Sequence, residues 1–205
     1  MKKCEREFKM QSKLEPKILK PLKVPKKTRV LLLVDVINPM HFPNSEALLP
    51  YALAAANRIA VFKSRLEKRN VQAIYANDNY GTWHSEFSDI LAACKKLPGA
   101  RGEIARILEP QPGDLIILKP QHSAFHSTPL LHLLRKMEAK TLSIVGFSTD
   151  ICVMLTATDA RMNGYAVRVP EDCTAAESLH RKLGALRQLH ETFKCSIQPA
   201  LRKKT

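Results

Sequence analysis

In the stretch Arg29-Val-Leu-Leu-Leu-Val-Asp35-Val-Ile-Asn38, valine and leucine follow one another almost without interruption from residue 30 to residue 36. Such a run is typical of a parallel β-strand that is buried on both of its faces. The run ends at polar residues and at Pro39, where a turn is expected. Because both faces of a buried parallel strand have to be covered, this stretch favours a sheet with helices on either side.

Outside this strand, short apolar runs alternate with longer amphipathic stretches. We predict further strands at residues 71–76, 114–118, 141–147 and 166–169, and a sixth at 195–198. Between them we predict helices at residues 46–69, 85–96, 128–138, 150–162 and 175–193. This alternation predicts an α/β protein with a three-layer, Rossmann-like fold, in which a mostly parallel sheet of about six strands has helices on both faces.

The composition is that of an ordinary folded domain. The 205 residues are 45% hydrophobic and 25% charged, which suits one domain. No apolar run approaches the roughly 20 residues that a membrane span needs, and no secretory signal is evident. The five cysteines are odd in number, widely spaced and contain no CxxC pair, which suits a reducing compartment. We therefore expect a cytoplasmic location and no membrane partner.

The positive charge is concentrated near the start of the chain. Of the formal net charge of +14, residues 1–29 contribute +8, from 11 lysines and arginines against 3 glutamates. This part lacks sustained apolar periodicity, so we predict a basic extension over residues 1–28 that lies outside a domain of residues 29–205. The extension is either a solvated arm or a binding site for a polyanion such as nucleic acid. The second alternative predicts binding that survives moderate salt and disappears when residues 1–28 are removed.

Polar residues follow four of the predicted strands. In an open parallel sheet, ligands bind at the carboxyl ends of the strands. Asp35 ends the first strand, residues 77–83 follow the second, Lys119 follows the third, and residues 148–152 follow the fourth. We therefore predict that the functional site lies at this edge of the sheet.

Cys152 is the candidate nucleophile at this edge. A thiol attacks as a thiolate, and its pKa falls at a helix N-terminus or beside a cation. Lys119 can hold the thiolate charge, Asp35 can take the thiol proton, and backbone N–H groups of residues 146–152 can stabilise an oxyanion. This combination favours acyl transfer. Taken singly, the three residues are equally compatible with a buried cysteine, a turn aspartate and a surface lysine.

Three motifs carry a resemblance to a known family. They are the opening strand with Asp35, the segment Lys119-Pro-Gln-His-Ser123-Ala-Phe125, and the segment Val145-Gly-Phe-Ser-Thr-Asp-Ile-Cys152-Val153. The third continues through Thr156-Ala-Thr-Asp-Ala160 in the following helix. In this order they resemble the isochorismatase-like, nicotinamidase-related hydrolase superfamily over residues 29–198.

The resemblance implies an enzyme and gives roles to its residues. It implies a cysteine hydrolase in which Asp35, Lys119 and Cys152 form the catalytic triad. The backbone N–H groups of Ser148 and Cys152 are implied to form the oxyanion hole, next to a cis peptide bond between Phe147 and Ser148. A homo-oligomer that acts on a small-molecule substrate is expected from the resemblance alone.

The chain departs from the nicotinamidase pattern after the second strand. Nicotinamidases have an Asp-x-His and further histidines there as a metal site, whereas residues 77–84 read Asn-Asp-Asn-Tyr-Gly-Thr-Trp-His. We therefore expect no metal, no other cofactor and a substrate other than nicotinamide. The spacing of His122 and His126 does not indicate a metal pair, because a loop between Pro120 and Pro129 lacks the helical face that this spacing requires.

The loops at the same edge predict the walls of the site. We expect Asn38, Phe42, Asn79, Trp83 and Phe125 to hold a small planar or amide-bearing substrate by stacking and hydrogen bonding. Trp83 fits a packed core or a subunit interface equally well. Asp150 is expected to cap the helix that follows the nucleophile.

The cysteine also indicates the reaction. True isochorismatases, which cleave a vinyl ether, typically lack a cysteine at the position of Cys152. The resemblance therefore favours hydrolysis of a small amide, lactam or carbamoyl-type substrate through a thioester. Two alternatives stay open: an isochorismatase-type hydrolase of a vinyl ether, and a non-catalytic polyanion-binding protein that uses its basic extension.

Overall fold

A six-stranded parallel sheet forms the centre of the computed structural model, which describes residues 24–81 and 86–201. The order of strands across the sheet is β3-β2-β1-β4-β5, and β6 pairs with the end of β4 that β5 does not reach. The strands are β1 (Arg29–Val34), β2 (Gln72–Asp78), β3 (Leu115–Lys119), β4 (Thr141–Phe147), β5 (Ala166–Arg168) and β6 (Thr174–Ala175). All these pairs are parallel.

Helices cover both faces of the sheet. On the face of Leu31 and Leu33 pack α1 (Ser45–Glu67), α2 (Phe87–Lys96) and α3 (Gly99–Ile107). On the face of Leu32 and Val34 pack α4 (Leu130–Lys136), α5 (Met154–Met162) and α6 (Leu179–Glu191). Alternate residues of β1 therefore enter two separate cores, which confirms the three-layer α/β fold. None of the described helices has the length and apolar character needed to cross a membrane.

The sixth strand is not where the sequence predicts it. Residues 195–198 contribute an isolated bridge between Ser196 and Arg168 instead of a strand. Beyond this bridge the chain turns after Pro170 into a short 3-10 helix, Glu171–Cys173, whose first N–H donates to the carbonyl of Ile197 at 3.3 Å. The two residues that follow this turn form β6 beside Gly146 and Phe147. The predicted number of strands is correct, but this location is wrong.

Helix α3 is not predicted from the sequence, in which no helix is assigned between the one at residues 85–96 and the strand at residues 114–118. Gly99 has a φ of +62°, a conformation that glycine adopts at no steric cost, and this reverses the chain between α2 and α3. Pro98 immediately precedes the first turn of α3, where a missing N–H does no harm. The Pro-Gly pair therefore separates two helices.

Two predicted helices begin differently from the prediction. The helix predicted at residues 150–162 starts as a π-helical turn, Thr149–Val153, and becomes α-helical at Met154. The helix predicted at 175–193 starts at Leu179, because Ala175 belongs to β6. Ser178 caps α6, since its hydroxyl accepts a hydrogen bond from the backbone N–H of Arg181 at 3.2 Å.

Part of the predicted basic extension packs on the domain. The N–H of Lys27 donates to the carbonyl of Met137 at 2.7 Å, and the carbonyl of Thr28 accepts from Lys140 at 2.8 Å. Val24 contacts the core beneath α4, α5 and α6. Residues 24–28 therefore contact the domain, the boundary between residues 28 and 29 stays a prediction, and residues 1–23 lie outside the described part.

We expect Gly146→Ala to destabilise the protein strongly. Gly146 has a φ of +120°, and a Cβ built on it would lie 2.0 Å from the carbonyl oxygen of Val34 in β1. Backbone strain and overpacking each cost about 1–3 kcal/mol, so urea unfolding should show a loss of about 2–5 kcal/mol. Gly184→Ala in α6 is the control: a Cβ there meets nothing within 4 Å, and we expect a gain of about 0.5–1 kcal/mol. Equal stability of Gly146→Ala and wild type would contradict the close approach of β1 and β4.

Candidate active site

Lys119 is the last residue of β3, and its side chain is fully buried. Its ammonium lies 2.8 Å from Asp35 Oδ2 and 3.8 Å from Asp78 Oδ2. It also donates a hydrogen bond to the carbonyl of Gln121 at 3.1 Å. An ammonium needs such partners when it leaves water, because desolvation of an ion costs several kcal/mol. The alternative of a solvated surface lysine is therefore excluded.

Asp35 follows the last residue of β1 and is 3% exposed. Its φ of +51° is unusual for a non-glycine residue and starts the turn out of the strand. Oδ1 accepts a hydrogen bond from the backbone N–H of Asp78 at 2.8 Å, while Oδ2 faces Lys119. The N–H of Asp35 donates to the carbonyl of Ala76 at 3.0 Å. Residues of β2 therefore hold this carboxylate beside the lysine of β3.

Cys152 lies in the π-helical turn between β4 and α5, and its sulfur is 3.8 Å from Lys119 Nζ. The peptide bond between Phe147 and Ser148 is cis, as the resemblance implies. The N–H groups of Ile151 and Val153 both donate to the carbonyl of Ser148, at 3.2 and 3.1 Å. Irregular helical turns of this kind are frequent at functional sites. The fold thus brings together the three side chains for which a catalytic role is predicted.

Burial changes the acid–base properties of this cluster. Loss of solvation raises the pKa of the Asp35 carboxyl, although Lys119 partly opposes the rise. Burial lowers the pKa of Lys119, but the effects of Asp35, Cys152 and Asp78 together outweigh this and raise the pKa, so the lysine keeps its proton. Burial and the charge of Asp35 raise the pKa of the Cys152 thiol, and Lys119 lowers it in part. The sulfur therefore rests as a neutral thiol, in contrast to the lowered thiol pKa that its place near a helix start suggests.

A cavity of about 400 Å³ opens beside the sulfur and is large enough for a small molecule. Asp35 and Cys152 lie in its wall. The apolar part of the wall comes from Pro39, Met40, Phe42, Leu48, Phe147 and Ile151, and the polar part from Asn38, His41, Asp78, Tyr80, His122, Ser148 and Glu177. The site can therefore hold a compact, partly apolar molecule against a thiol.

The residues predicted to bind substrate have different positions. Asn38 and Phe42 line the cavity. Among the described residues, Asn79 and Phe125 do not line it, and their role in substrate binding stays a prediction. The Asn79 amide oxygen accepts from the N–H of Gly81 at 2.9 Å, and the Phe125 ring packs 6.2 Å from the ring of Tyr165. Trp83, the fifth predicted wall residue, lies outside the described residues.

His122 lines the cavity, although the sequence predicts neither a metal-binding role nor a place in the site for it. Its Nδ1 lies 3.7 Å from the sulfur of Cys152. In the sequence, the position of His122 indicates a place in the site, since it follows Lys119 by three residues in a loop at the carboxyl edge of the sheet. Spacing along the chain could not reveal the contact, because Cys152 comes from a different strand end.

Asp150 does not cap the helix after the nucleophile, in contrast to the prediction. Its Oδ1 accepts a hydrogen bond from the Ser148 hydroxyl, and its Oδ2 pairs with Arg181 of α6, both at 2.5 Å. Arg181 also pairs with Glu177 in the cavity wall. This chain of polar contacts ties the nucleophile turn to α6.

The described residues do not form a metal site. Between residues 24 and 81 and between residues 86 and 201, no three histidine, cysteine, aspartate or glutamate side chains are grouped so that they could hold a metal ion. The amide of Asn77, which follows Ala76 in β2, is used by the backbone of Ile37: the N–H of Ile37 donates to Asn77 Oδ1 at 3.2 Å. His84 lies outside the described residues.

Comparison with known proteins finds matches both to the sequence and to the fold of this chain. A family model described as the Isochorismatase domain matches residues 29–196. The chain is 33% identical over 153 residues to the isochorismatase family protein YaaI of Bacillus subtilis, which covers 75% of this chain and 83% of YaaI. It is 31% identical over 153 residues to the ureidoacrylate amidohydrolase RutB of Methylorubrum extorquens, which covers 69% of this chain and 60% of RutB. The match thus spans less than two thirds of RutB.

Two solved structures share the fold. The nicotinamidase of Staphylococcus aureus aligns with a TM-score of 0.65 at 23% identity, covering 84% of this chain and 98% of the nicotinamidase. The N-carbamoylsarcosine amidase of Thermoplasma acidophilum aligns with a TM-score of 0.65 at 20% identity, covering 87% of this chain and 99% of the amidase. At these identities the likeness concerns the architecture.

We expect Lys119→Met to lower the free energy of unfolding by about 3–5 kcal/mol, because it leaves the buried Asp35 carboxylate unpaired. The double variant Lys119→Met/Asp35→Asn should recover part of this loss, and a double-mutant cycle from urea unfolding measures the coupling. Lys95→Met is the control, since its pair with Glu109 is 36% and 39% exposed. A surface pair contributes about 0–1 kcal/mol. Additive losses in the cycle would contradict the buried ion pair.

Proposed function

This chain belongs to the isochorismatase family, and on that premise we propose that it is a cysteine hydrolase of amide-type C–N bonds. Cys152 is the proposed nucleophile, with Asp35 as general base and Lys119 as the cation that stabilises the thiolate. The proposed substrate class is a small amide, lactam or carbamoyl compound. The proposed intermediate is a thioester on the sulfur.

The position of Lys119 between the carboxylate and the thiol carries this proposal. Its ammonium lies 2.8 Å from Asp35 and 3.8 Å from Cys152 Sγ, with no exposed surface. A charge is worth far more in such a dry site than in water. A lysine placed there stabilises the negative charge that sulfur acquires on losing its proton, and a purely structural cysteine has no use for it.

The raised pKa values of Asp35 and Cys152 indicate that the reaction begins with a proton transfer between these two residues. Because the resting thiol is neutral, attack requires a base, and the elevated pKa of the Asp35 carboxyl makes it a stronger base than an exposed aspartate. In the proposed step, the S–H proton passes to Asp35 while the sulfur forms a bond to the carbonyl carbon. As the proton leaves and before the new bond is complete, Lys119 faces a thiolate-like sulfur and a neutral carboxyl, so a cation lies beside the developing negative charge.

The carbonyl oxygen becomes an oxyanion when the sulfur adds to the carbonyl carbon. The backbone N–H groups of Ser148 and Cys152 are the proposed donors, because both belong to the turn that carries the nucleophile. Asp150 accepts hydrogen bonds from the Ser148 hydroxyl and from Arg181, and these hold the turn against α6. Donors fixed in advance stabilise an oxyanion without reorganisation during the reaction.

The relatives support the reaction class. RutB is named as an amidohydrolase of ureidoacrylate and is 31% identical to this chain over the matched region. The cavity of about 400 Å³ and its apolar residues, such as Phe42 and Phe147, suit a small substrate with an apolar part. Cys152 in the wall of this cavity supports a carbonyl substrate that forms a covalent bond to sulfur.

We expect Cys152→Ala to abolish hydrolysis of amides while the protein stays folded. Removal of the nucleophile removes the covalent route, which is worth several orders of magnitude in rate. The measurement is the initial rate on a panel of small amides, lactams and carbamoyl compounds, with an isochorismate-like vinyl ether as a further probe. Intact-protein mass spectrometry after an acid quench should show wild-type protein with one acyl group attached at Cys152.

Cys94→Ala provides the matched control for this experiment. Cys94 is a buried cysteine in α2 that is not among the residues lining the cavity, and alanine suits a helix interior. We expect this variant to retain activity and to form the acyl adduct. An active Cys152→Ala protein, or a wild-type protein that cleaves the vinyl ether and none of the amides, would show the proposed function to be wrong.

A further inference from the structure

The described wall of the cavity is acidic, although the chain as a whole is basic. Three carboxylates line the cavity, those of Asp35, Asp78 and Glu177. No lysine or arginine is among the described lining residues, and His41 and His122 are the lining side chains that can carry positive charge. The whole chain has a formal net charge of +14. The fixed charges of the cavity wall are therefore opposite in sign to the net charge of the chain.

The buried ammonium beside the cavity is fully occupied by protein groups. Lys119 lies 2.8 Å from Asp35 Oδ2, donates to the carbonyl of Gln121 at 3.1 Å, and is 3.8 Å from Cys152 Sγ. An ammonium has three hydrogens, so these three partners leave none for the carboxylate of a substrate. Because Lys119 also has no exposed surface, it cannot serve as a binding site for an anion in the cavity.

The cation on the opposite side, Arg181 of α6, is occupied in the same way. Its Nε donates to Asp150 and one of its terminal nitrogens donates to Glu177, both at 2.5 Å. Glu177 lines the cavity, whereas Arg181 is not among the lining residues. The side chain of Arg181 is 41% exposed and that of Glu177 is 19% exposed, so water and salt screen the cation more than the carboxylate. The charge that faces the cavity on this side is therefore that of Glu177.

Around the cavity, four carboxylates share two cations. The carboxylates are those of Asp35, Asp78, Asp150 and Glu177, and the cations are Lys119 and Arg181. A cleft with apolar walls and charges of one sign concentrates their electric field on whatever enters it. A substrate carboxylate in this cavity would lose water and meet repulsion, whereas an ammonium group would be attracted and an uncharged group would be tolerated.

Resting on the proposed function, we infer that the site selects uncharged and positively charged amides over amides that carry a carboxylate, and that Glu177 determines this selection. Glu177 belongs to the segment between β6 and α6, so it comes from a different part of the fold than the strand ends that carry Asp35 and Lys119. Its carboxylate does not contact Lys119, in contrast to those of Asp35 and Asp78. Its charge therefore acts on the substrate without holding the catalytic lysine.

Three amides of equal chain length test the selection by the release of ammonia at about pH 7.5. Butanamide is uncharged, 3-aminopropanamide ends in an ammonium group, and succinamate ends in a carboxylate. For wild type we expect kcat/KM to be lower for succinamate than for butanamide, on the order of tenfold, and to be at least as high for 3-aminopropanamide. Glu177→Gln should narrow the gap between succinamate and butanamide several-fold.

Glu109→Gln is the matched control for the amide series. It also removes one carboxylate and one ion pair, but Glu109 pairs with Lys95 at the surface and does not line the cavity. We expect it to leave the ratio of the three amides unchanged. A wild-type protein that hydrolyses succinamate as well as butanamide would overturn the inference, and so would equal effects of Glu177→Gln and Glu109→Gln.

Two thiol reagents of opposite charge test the same selection without any turnover. 2-(Trimethylammonio)ethyl methanethiosulfonate and 2-sulfonatoethyl methanethiosulfonate each form a mixed disulfide with a thiolate and release methanesulfinate. Both react with the same thiolate of Cys152, so the ratio of their rates does not depend on how much thiolate is present. Peptide mass spectrometry reports the reaction at Cys152, and 2-mercaptoethanol gives the reference ratio. We expect the ratio of cationic to anionic reagent at Cys152 to exceed the reference on the order of tenfold.

Two variants should move this reagent ratio in opposite directions. Glu177→Gln should lower it several-fold, because a carboxylate is lost from the wall, and Arg181→Gln should raise it, because Glu177 loses its cation. Shifts in the same direction, or a wild-type ratio equal to that of 2-mercaptoethanol, would contradict the inference. A wild-type protein that keeps the reagent ratio but hydrolyses no amide, lactam or carbamoyl compound would instead count against the proposed function and leave the charge selection of the cavity supported.

Discussion

A lysine ammonium with no exposed surface is the constraint on which the site depends. Lys119 ends β3, and its principal partner Asp35 leaves β1, two positions across the sheet. The intervening strand β2 supplies Asp78, whose N–H holds Asp35 and whose carboxylate is 3.8 Å from the lysine. Because a buried cation without partners would cost several kcal/mol, the three strand ends must stay in this register. The register of the three strands therefore sets the geometry of the site.

The Cys152 thiol is controlled by the same buried ion pair. Burial alone would make Cys152 an inert thiol, and the raised thiol pKa reflects that tendency. Lys119 opposes it electrostatically, and Asp35 offers a base of raised pKa within the same cluster. In the proposed mechanism, the sulfur becomes nucleophilic during the reaction itself, because the thiol loses its proton as the carbonyl carbon approaches.

Much of the fold could be predicted from the sequence, because its central elements are defined by local patterns. The strand at residues 141–147 has the predicted bounds, and β1 was recognised because residues buried on both faces are apolar without alternation. The failures occur where tertiary context decides. Residues 174–175 are too short to show a strand pattern, and they pair because β4 extends beyond β5. Pro98-Gly99 reads as a stop, but here it joins two helices.

The amino-acid order predicts the α/β class, the edge of the sheet that carries the site, and the meeting of Asp35, Lys119 and Cys152, because strand ends and family motifs are local in the chain. The surroundings of these residues depend on the tertiary structure. It placed His122 against the sulfur, turned Phe125 toward Tyr165 and attached Asp150 to Arg181. These contacts join segments about 30 residues or more apart, and local sequence patterns do not encode such distances.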